Sequence, residues 1–321
     1  MEEVKKEMPR KIEVQDLPWN ELSQIGITQD GLTEEQLGAL CRGDLTDSLP
    51  LKLTGGDKPF IANGRLGVFR DQDGQVQYRA VLERARPDLE RYRGHRFTPE
   101  EREQLYVFGR TTQPLILSKP DGGQYRALCE IDPQTNVAMI IPLKAIRKKE
   151  EIAQVQISPE QMASIRQGKY VKMEGLKKKD GEVFNAYVYY SAVKDDLAIM
   201  SEGKYQSLEN KLKAAFQNAR VPSELFGVAL TSQEQDAIKQ GAFVWKPEIQ
   251  FEGQQKPGYL YYSVIEQKIR TTTIDPSDPS RVVNKEITRK TEIKSDMKTN
   301  NVVVSETHTH KEEKKKSTMK I

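Results

Sequence analysis

Apolar and polar positions follow two periods that alternate along the chain, one of helical spacing and one of strand spacing. The helical stretches share an opening phrase that recurs four times. It reads Leu32-Thr33-Glu34-Glu35-Gln36, Phe97-Thr98-Pro99-Glu100-Glu101, Ile157-Ser158-Pro159-Glu160-Gln161 and Leu230-Thr231-Ser232-Gln233-Glu234. Each copy places Ser or Thr after an apolar residue, with Glu or Gln three positions on. That is the capping box, in which the hydroxyl accepts from a free first-turn amide and the third side chain reaches back to the cap amide. Pro99 and Pro159 stand at the first helical position, where a missing N–H is harmless. A glycine follows each stretch, Gly43, Gly109, Gly168 and Gly241, suited to the left-handed turn that closes a helix. The phrase predicts four short helices.

After each glycine the period changes to two. In the second copy Leu115-Ile116-Leu117 leads to Asp121-Gly122 and Gln124 to Cys129. In the third, Tyr170 to Met173 leads to Asp180-Gly181 and Phe184 to Tyr190. In the fourth, Ile249-Gln250-Phe251 leads to Pro257-Gly258 and Tyr259 to Val264. Asp-Gly between alternating runs marks a hairpin. In the first copy a Gly-rich insert, Thr54-Gly55-Gly56-Asp57, separates the helix from Leu66 to Phe69, Asp73-Gly74 and Val76 to Val81. The predicted unit is helix, glycine, strand, tight turn, strand. One hairpin is marginal alone in water, so the units must pack on one another or extend each other's sheets. The fold class is α+β, as tandem small helix–β-hairpin modules with a disordered charged C-terminal tail.

The resulting plan has a flexible N-terminus (1–16), an N-terminal module (17–95), a second repeat (96–150), a third (151–203), a linking helix plus fourth repeat (204–275), and the tail (276–321). Leu208, Leu212, Ala215, Phe216 and Ala219 form the stripe of the linking helix. Trp19 is expected to dock on the first module. The tail is polar and mixed in charge, with Val302-Val303-Val304 as its one apolar strip.

Composition narrows the function classes. The chain has 321 residues, with 50 Lys+Arg against 47 Asp+Glu and a net charge of +3. No apolar run is long enough for a membrane-spanning helix, and the N-terminus lacks the apolar core of a secretory signal. Two cysteines, Cys41 and Cys129, make neither a disulfide framework nor a four-cysteine zinc site. A soluble cytoplasmic protein is expected, with no membrane partner, small-molecule substrate or cofactor.

Catalytic signatures are sparse. Neither G-x-x-x-x-G-K-[ST] nor a strand-borne G-x-G-x-x-G occurs, and Gly168-Lys169 falls at a helix end, not at the helix start that cradles phosphate. His95 lies in a basic linker, and His308 and His310 in the tail. Both cysteines read as core. Asp71 and Asp73 read as turn formers, and the Asp195-Asp196 pair follows a strand. No enzyme is expected.

The positive signal is basic and aromatic. Arg166, Lys169, Lys172, Lys177, Lys178 and Lys179 face only Glu174 between Ile165 and Lys179. The next strand puts Asn185, Tyr187 and Tyr189 on one face, and Phe184, Ala186, Val188 and Tyr190 on the other. The fourth copy repeats this with Tyr259, Tyr261 and Ser263 against Leu260, Tyr262 and Val264. Lysines beside tyrosines suit phosphate neutralisation with base stacking; the same face equally suits a contact between modules or with a partner protein. The candidate nucleic-acid-binding residues are therefore Arg166, Lys169, Lys172, Lys177, Lys178, Lys179, Tyr187 and Tyr189.

Val221 to Thr231, Leu230 to Gly241, Gly168 to Leu176, Lys179 to Ala186 and Phe97 to Arg102 resemble a domain of unknown function found in proteins of gut-bacterial conjugative transposons. Pro18 to Leu22, Gly26-Ile27 and Gly64-Arg65-Leu66 resemble the companion domain usually placed just before it. The two together cover about 17–275. The fourth copy departs from the pattern: Trp245-Lys246-Pro247 interrupts its first strand, and its turn lacks Lys-Asp-Gly. Similar modules are appended to type IA topoisomerases. The resemblance implies a mobile-element setting and no activity; together with the sparse catalytic signatures, a non-enzymatic accessory protein of such an element is expected. Its partner would be DNA or RNA, or else a relaxase, topoisomerase or other transfer protein.

Overall fold

All four capping boxes form. The cap hydroxyls of Thr33, Thr98, Ser158 and Thr231 accept from the backbone N–H of Gln36, Glu101, Gln161 and Glu234, whose side chains accept from the cap amides in return. The four closing glycines all lie at φ between 71° and 86°. This is a computed structural model, and it describes residues 11–282 apart from 56, 57, 72, 93, 94, 120, 121, 252 and 277. His308, His310, the Val302–Val304 strip and the charged tail beyond 282 lie outside the described residues.

The first module holds α1 (Trp19–Gln24), α2 (Glu34–Arg42), β1 (Leu49–Gly55), β2 (Lys58–Arg70) and β3 (Val76–Leu82). The second has β4 (Arg91–Tyr92), β5 (His95–Arg96), α3 (Pro99–Phe108), β6 (Leu115–Ser118), β7 (Gln124–Ile131) and β8 (Ala138–Pro142). The third has β9 (Glu151–Ile152), β10 (Val155–Gln156), α4 (Pro159–Arg166), β11 (Val171–Lys177), β12 (Val183–Ser191) and β13 (Asp196–Ser201). A long helix, α5 (Glu202–Gln217), follows. The fourth has β14 (Glu224–Leu225), β15 (Val228–Ala229), α6 (Ser232–Lys239), β16 (Val244–Phe251), β17 (Gln254–Ser263) and β18 (Lys268–Thr272). A last ribbon pairs β19 (Ile274–Asp275) with β20 (Asp278–Val282).

Each expected hairpin is a three-stranded antiparallel meander. The added strands β8, β13 and β18 are edge strands with weak alternation, so the period alone does not show them. In the first module the missed strand is β1, which takes in Thr54 and Gly55 of the Gly-rich insert and pairs with β2. A small two-stranded ribbon also precedes α3, α4 and α6. Each ends in the same bond, from the N–H of Phe97, Ile157 or Leu230 to the carbonyl of Glu90, Glu150 or Ser223.

Further corrections concern the fourth module and the ends. Its first strand pair closes with Phe251 opposite Gln254, ahead of the expected Pro257-Gly258 turn. Pro257-Gly258 lies inside β17, opposite a bulge between Lys246 and Ile249 that accommodates Pro247. A Cβ on Gly258 would stand 2.9 Å from the Thr272 carbonyl oxygen. At the N-terminal end Ile12, assigned to a flexible segment, is 2% exposed and donates its N–H to the Cys41 carbonyl. At the other end β19 and β20 pair as a ribbon that runs into the segment expected to be disordered from 276. Trp19 docks as expected, its indole N–H donating to the Val14 carbonyl at 2.9 Å.

Four apolar clusters form, one centred on each module. The inner face of each sheet packs on its own helix. The outer faces are partly covered by the neighbours, which assembles the molecule and leaves Phe69 and Ile116 exposed. On β2, Arg65 reaches the β7–β8 loop, where Asp132 accepts at 2.9 Å. On β7 and β8, Leu128 and Ile141 join the core of the third module, while Glu130 accepts from the Ser191 hydroxyl and the Val193 N–H. On β12 the cover is α5. On β17, Tyr261 and Ser263 turn to α3, where both oxygens of Glu103 accept from Val264 N–H at 3.0 and 3.1 Å. The second module thus touches all three others, and α5 carries the chain back so that the fourth module packs on α3.

Candidate nucleic-acid interface

The sequence-predicted residues separate into three places. Tyr187, Tyr189 and Lys172 lie on the outer face of the third sheet, as the period-two reading requires. That face is closed. Tyr187 stacks on Tyr205 of α5 with ring centroids 3.8 Å apart. Tyr189 lies 5.1 Å from Tyr170, which also meets Tyr205 and Phe108. Lys172 pairs with Glu202 at 2.9 Å, which raises its pKa, chiefly through that hydrogen bond. Burial pushes the Tyr189 hydroxyl up to about 12. These tyrosines join modules, and their faces are not presented for base stacking.

Arg110 fixes this joint. Its guanidinium is 2% exposed, enters from the second module, and lies 4.6 Å from the Tyr189 ring and 4.9 Å from the Tyr170 ring. It donates to the carbonyls of Gly168 at 3.0 Å and Tyr190 at 3.3 Å. Asn185, on the same face as the tyrosines, serves the backbone instead: its Oδ1 accepts from Gly175 N–H at the bulge of β11.

Lys177, Lys178 and Lys179 form an exposed tip on the β11–β12 hairpin. Lys178 pairs with Glu182 at 2.6 Å. Lys177 and Lys179 take part in no ion pair among the described residues.

Arg166 and Lys169 occupy the third place, the corner where α4 meets the second sheet. Arg166 donates to the Leu143 carbonyl at 3.2 Å. Arg126 of β7 donates to Gln167 at 3.1 Å. The corner continues through Lys144 into Arg147 and Lys148, all exposed. Among the described residues none of these six cations forms a salt bridge, whereas the next residue, Lys149, pairs with Asp196. Arg126, Lys144, Arg147 and Lys148 belong to the second module in sequence, so a search within the third misses them. The basic run Lys144 to Lys149 was the available signal.

The remaining polar candidates have structural work. His95 meets Glu101, the reciprocating acid of its capping box, at 3.1 Å. Asp71 makes an Asx turn to the N–H groups of Asp73 and Gln75. Asp195 accepts from the Tyr190 hydroxyl at 2.8 Å. Cys129 is fully buried, which pushes its thiol pKa far up, and Cys41 is half-buried on α2. Among the described residues no group of three or more His, Cys, Asp or Glu has metal-binding geometry, and no helix is long and apolar enough to cross a membrane.

Two segments match family models. Residues 12–92 match one described as "Protein of unknown function (DUF4099)", and residues 149–198 one described as "Protein of unknown function (DUF3945)". The chain carries two domains of unknown function. The first covers the N-terminal module from Ile12 to the β4 strand, and the second covers the third module from Lys149 into β13. The second and fourth modules repeat the element order of the third, and apart from β4 they lie outside the matched segments. No curated protein and no solved structure matches the chain.

Proposed function

We propose that this is a non-enzymatic accessory protein of a conjugative or related mobile element that holds nucleic acid by its phosphates. The observation that carries the reading is the unpaired corner of Arg126, Lys144, Arg147, Lys148, Arg166 and Lys169. Among the described residues these six cations take part in no ion pair, and hydrogen bonds from Arg126 and Arg166 tie the two modules there, although the chain as a whole is nearly neutral. Lys177 and Lys179 extend the positive surface along β11, about 25 Å from Lys169 at strand rise. Contact of this kind is electrostatic and indifferent to base sequence. The tyrosines have no part in it. The buried charges Arg110, Glu103 and Asp132, with half-buried Glu130, are all engaged in joints between modules, which supports a non-catalytic role.

The test is duplex DNA binding followed by fluorescence anisotropy across a salt series. Reversing Arg126, Lys144 and Lys169 to Glu together should reduce the log–log salt slope by about 2.5–3. An unchanged slope, or no binding by the unaltered protein near 50 mM salt, rejects the reading.

A second reading, a scaffold that docks to a relaxase, topoisomerase or other transfer protein, is favoured by the β1–β2 arm. Phe60 and Ile61 are 47% and 74% exposed there. Affinity purification from a host carrying the element, with Ile61→Ser as the control, tests it; a reproducible partner lost in the variant is the expected result.

A further inference from the structure

A cleft of about 720 Å³ lies where α5 crosses between α3 and the fourth sheet. Its floor is apolar, made by Ala214, Ala215, Leu225, Val264 and Ile269. Its rim carries Lys211, Arg220 and Lys268, with Asn218 and Gln267 between them, and no acidic residue lines it. At the edge stands Tyr106 of α3, 46% exposed, with Lys211 Nζ 5.3 Å from its ring centroid. Among the described residues Lys211 and Arg220 take part in no ion pair, and Lys268 leans on Glu266 at 3.2 Å. The volume is within the range of clefts that take ligands, about 300–1,000 Å³.

We propose that this cleft binds a short stretch of single-stranded nucleic acid. Lys211 and Arg220, with Lys268 shared with Glu266, make a rim complementary to a row of phosphates. An apolar floor with a half-exposed tyrosine at its edge suits unstacked bases, which bring flat apolar faces and need somewhere to bury them. Duplex DNA keeps its bases stacked inside and offers this concave surface little beyond phosphate. The asparagine and glutamine on the rim can donate to and accept from base edges. The proposal shares with the preceding section the premise that the protein meets nucleic acid, but it concerns a different surface and a different strand state.

The experiment uses the full chain and a fluorescein-labelled oligothymidine of about a dozen nucleotides, with duplex DNA in parallel. All three substitutions touch exposed residues, and circular dichroism with thermal melting confirms that each variant is folded. Lys211→Glu with Arg220→Glu should weaken single-strand binding at least tenfold and reduce the salt slope by about 1.4. Tyr106→Ser should weaken it about tenfold while leaving the salt slope in place. Duplex affinity, which reports on the α4 corner, should change little in either. Photo-crosslinking through a 5-iodouracil base should label Tyr106. The proposal is overturned if the unaltered protein does not bind the oligothymidine near 50 mM salt, if the cleft variants bind it normally, or if polyglutamate displaces it as well as unlabelled strand does. The last outcome would mark the cleft as a site for acidic protein. Loss of duplex binding in the corner variant with single-strand binding intact would leave this proposal standing; the reverse would leave only the corner.

Discussion

Glu103 is the most consequential single side chain. It is 8% exposed on α3 and serves the backbone turn of the fourth module. Burial raises its carboxyl from 4.5 to about 7, against the lowering effects of the Ser263 and Val264 hydrogen bonds and of Arg102. The folded chain therefore binds this proton more tightly than the unfolded chain does. The associated stability is complete below about pH 4.5 and is lost as pH rises toward 7, by up to about 3 kcal/mol. Glu103→Gln, which keeps an acceptor for Val264 but cannot ionise, should flatten that decline. Urea midpoints from pH 4.5 to 8 check this, and parallel curves for the two proteins would contradict it. Nothing local marks Glu103 in the sequence, because its partners are some 160 residues away. The tyrosines show the same limit. Period two sorts Tyr187 and Tyr189 onto their face correctly, yet it cannot say whether that face meets water, a ligand or a helix from the same chain.

At the scale of the element, whatever is local was legible. A capping box needs only residues three apart, and all four formed. The closing glycines were legible too, but their costs differ. A Cβ on Gly109 meets nothing within 4 Å, whereas one on Gly168 would lie 3.0 Å from Leu128 Cδ2 and 3.2 Å from the Thr112 carbonyl carbon. Gly109→Ala should therefore cost about 1–2 kcal/mol for the left-handed backbone. Gly168→Ala should cost distinctly more, because the second sheet blocks it. Equal losses in chemical unfolding would show that the joint yields. The edge strands β8, β13 and β18 were not legible, since each is specified by the strand it pairs with. The α4 corner was half legible: Arg166 and Lys169 stand out as charges, but Arg126 reaches them only through the fold.

At the scale of the molecule, stability rests on joints between modules. The Arg65–Asp132 pair is the most enclosed, with side chains 11% and 0% exposed. Asp132 also accepts from the Thr135 hydroxyl and the Gln134 N–H, so removing it strands a buried guanidinium. Asp132→Ala should cost about 3–5 kcal/mol. A double-mutant cycle with Arg65→Met should recover much of that loss as coupling, and additive losses would mean the two residues act separately.

The path of α5 has a consequence for how long such a protein can become. Duplicating one unit would ordinarily let the series grow, because the outside of each sheet is a landing place for whatever follows. Tyr205 seated on Tyr187 occupies that place on the third sheet, and the fourth unit is returned to α3. A copy inserted after Ser201 would have to displace α5 from Tyr187 before it could settle on the third sheet.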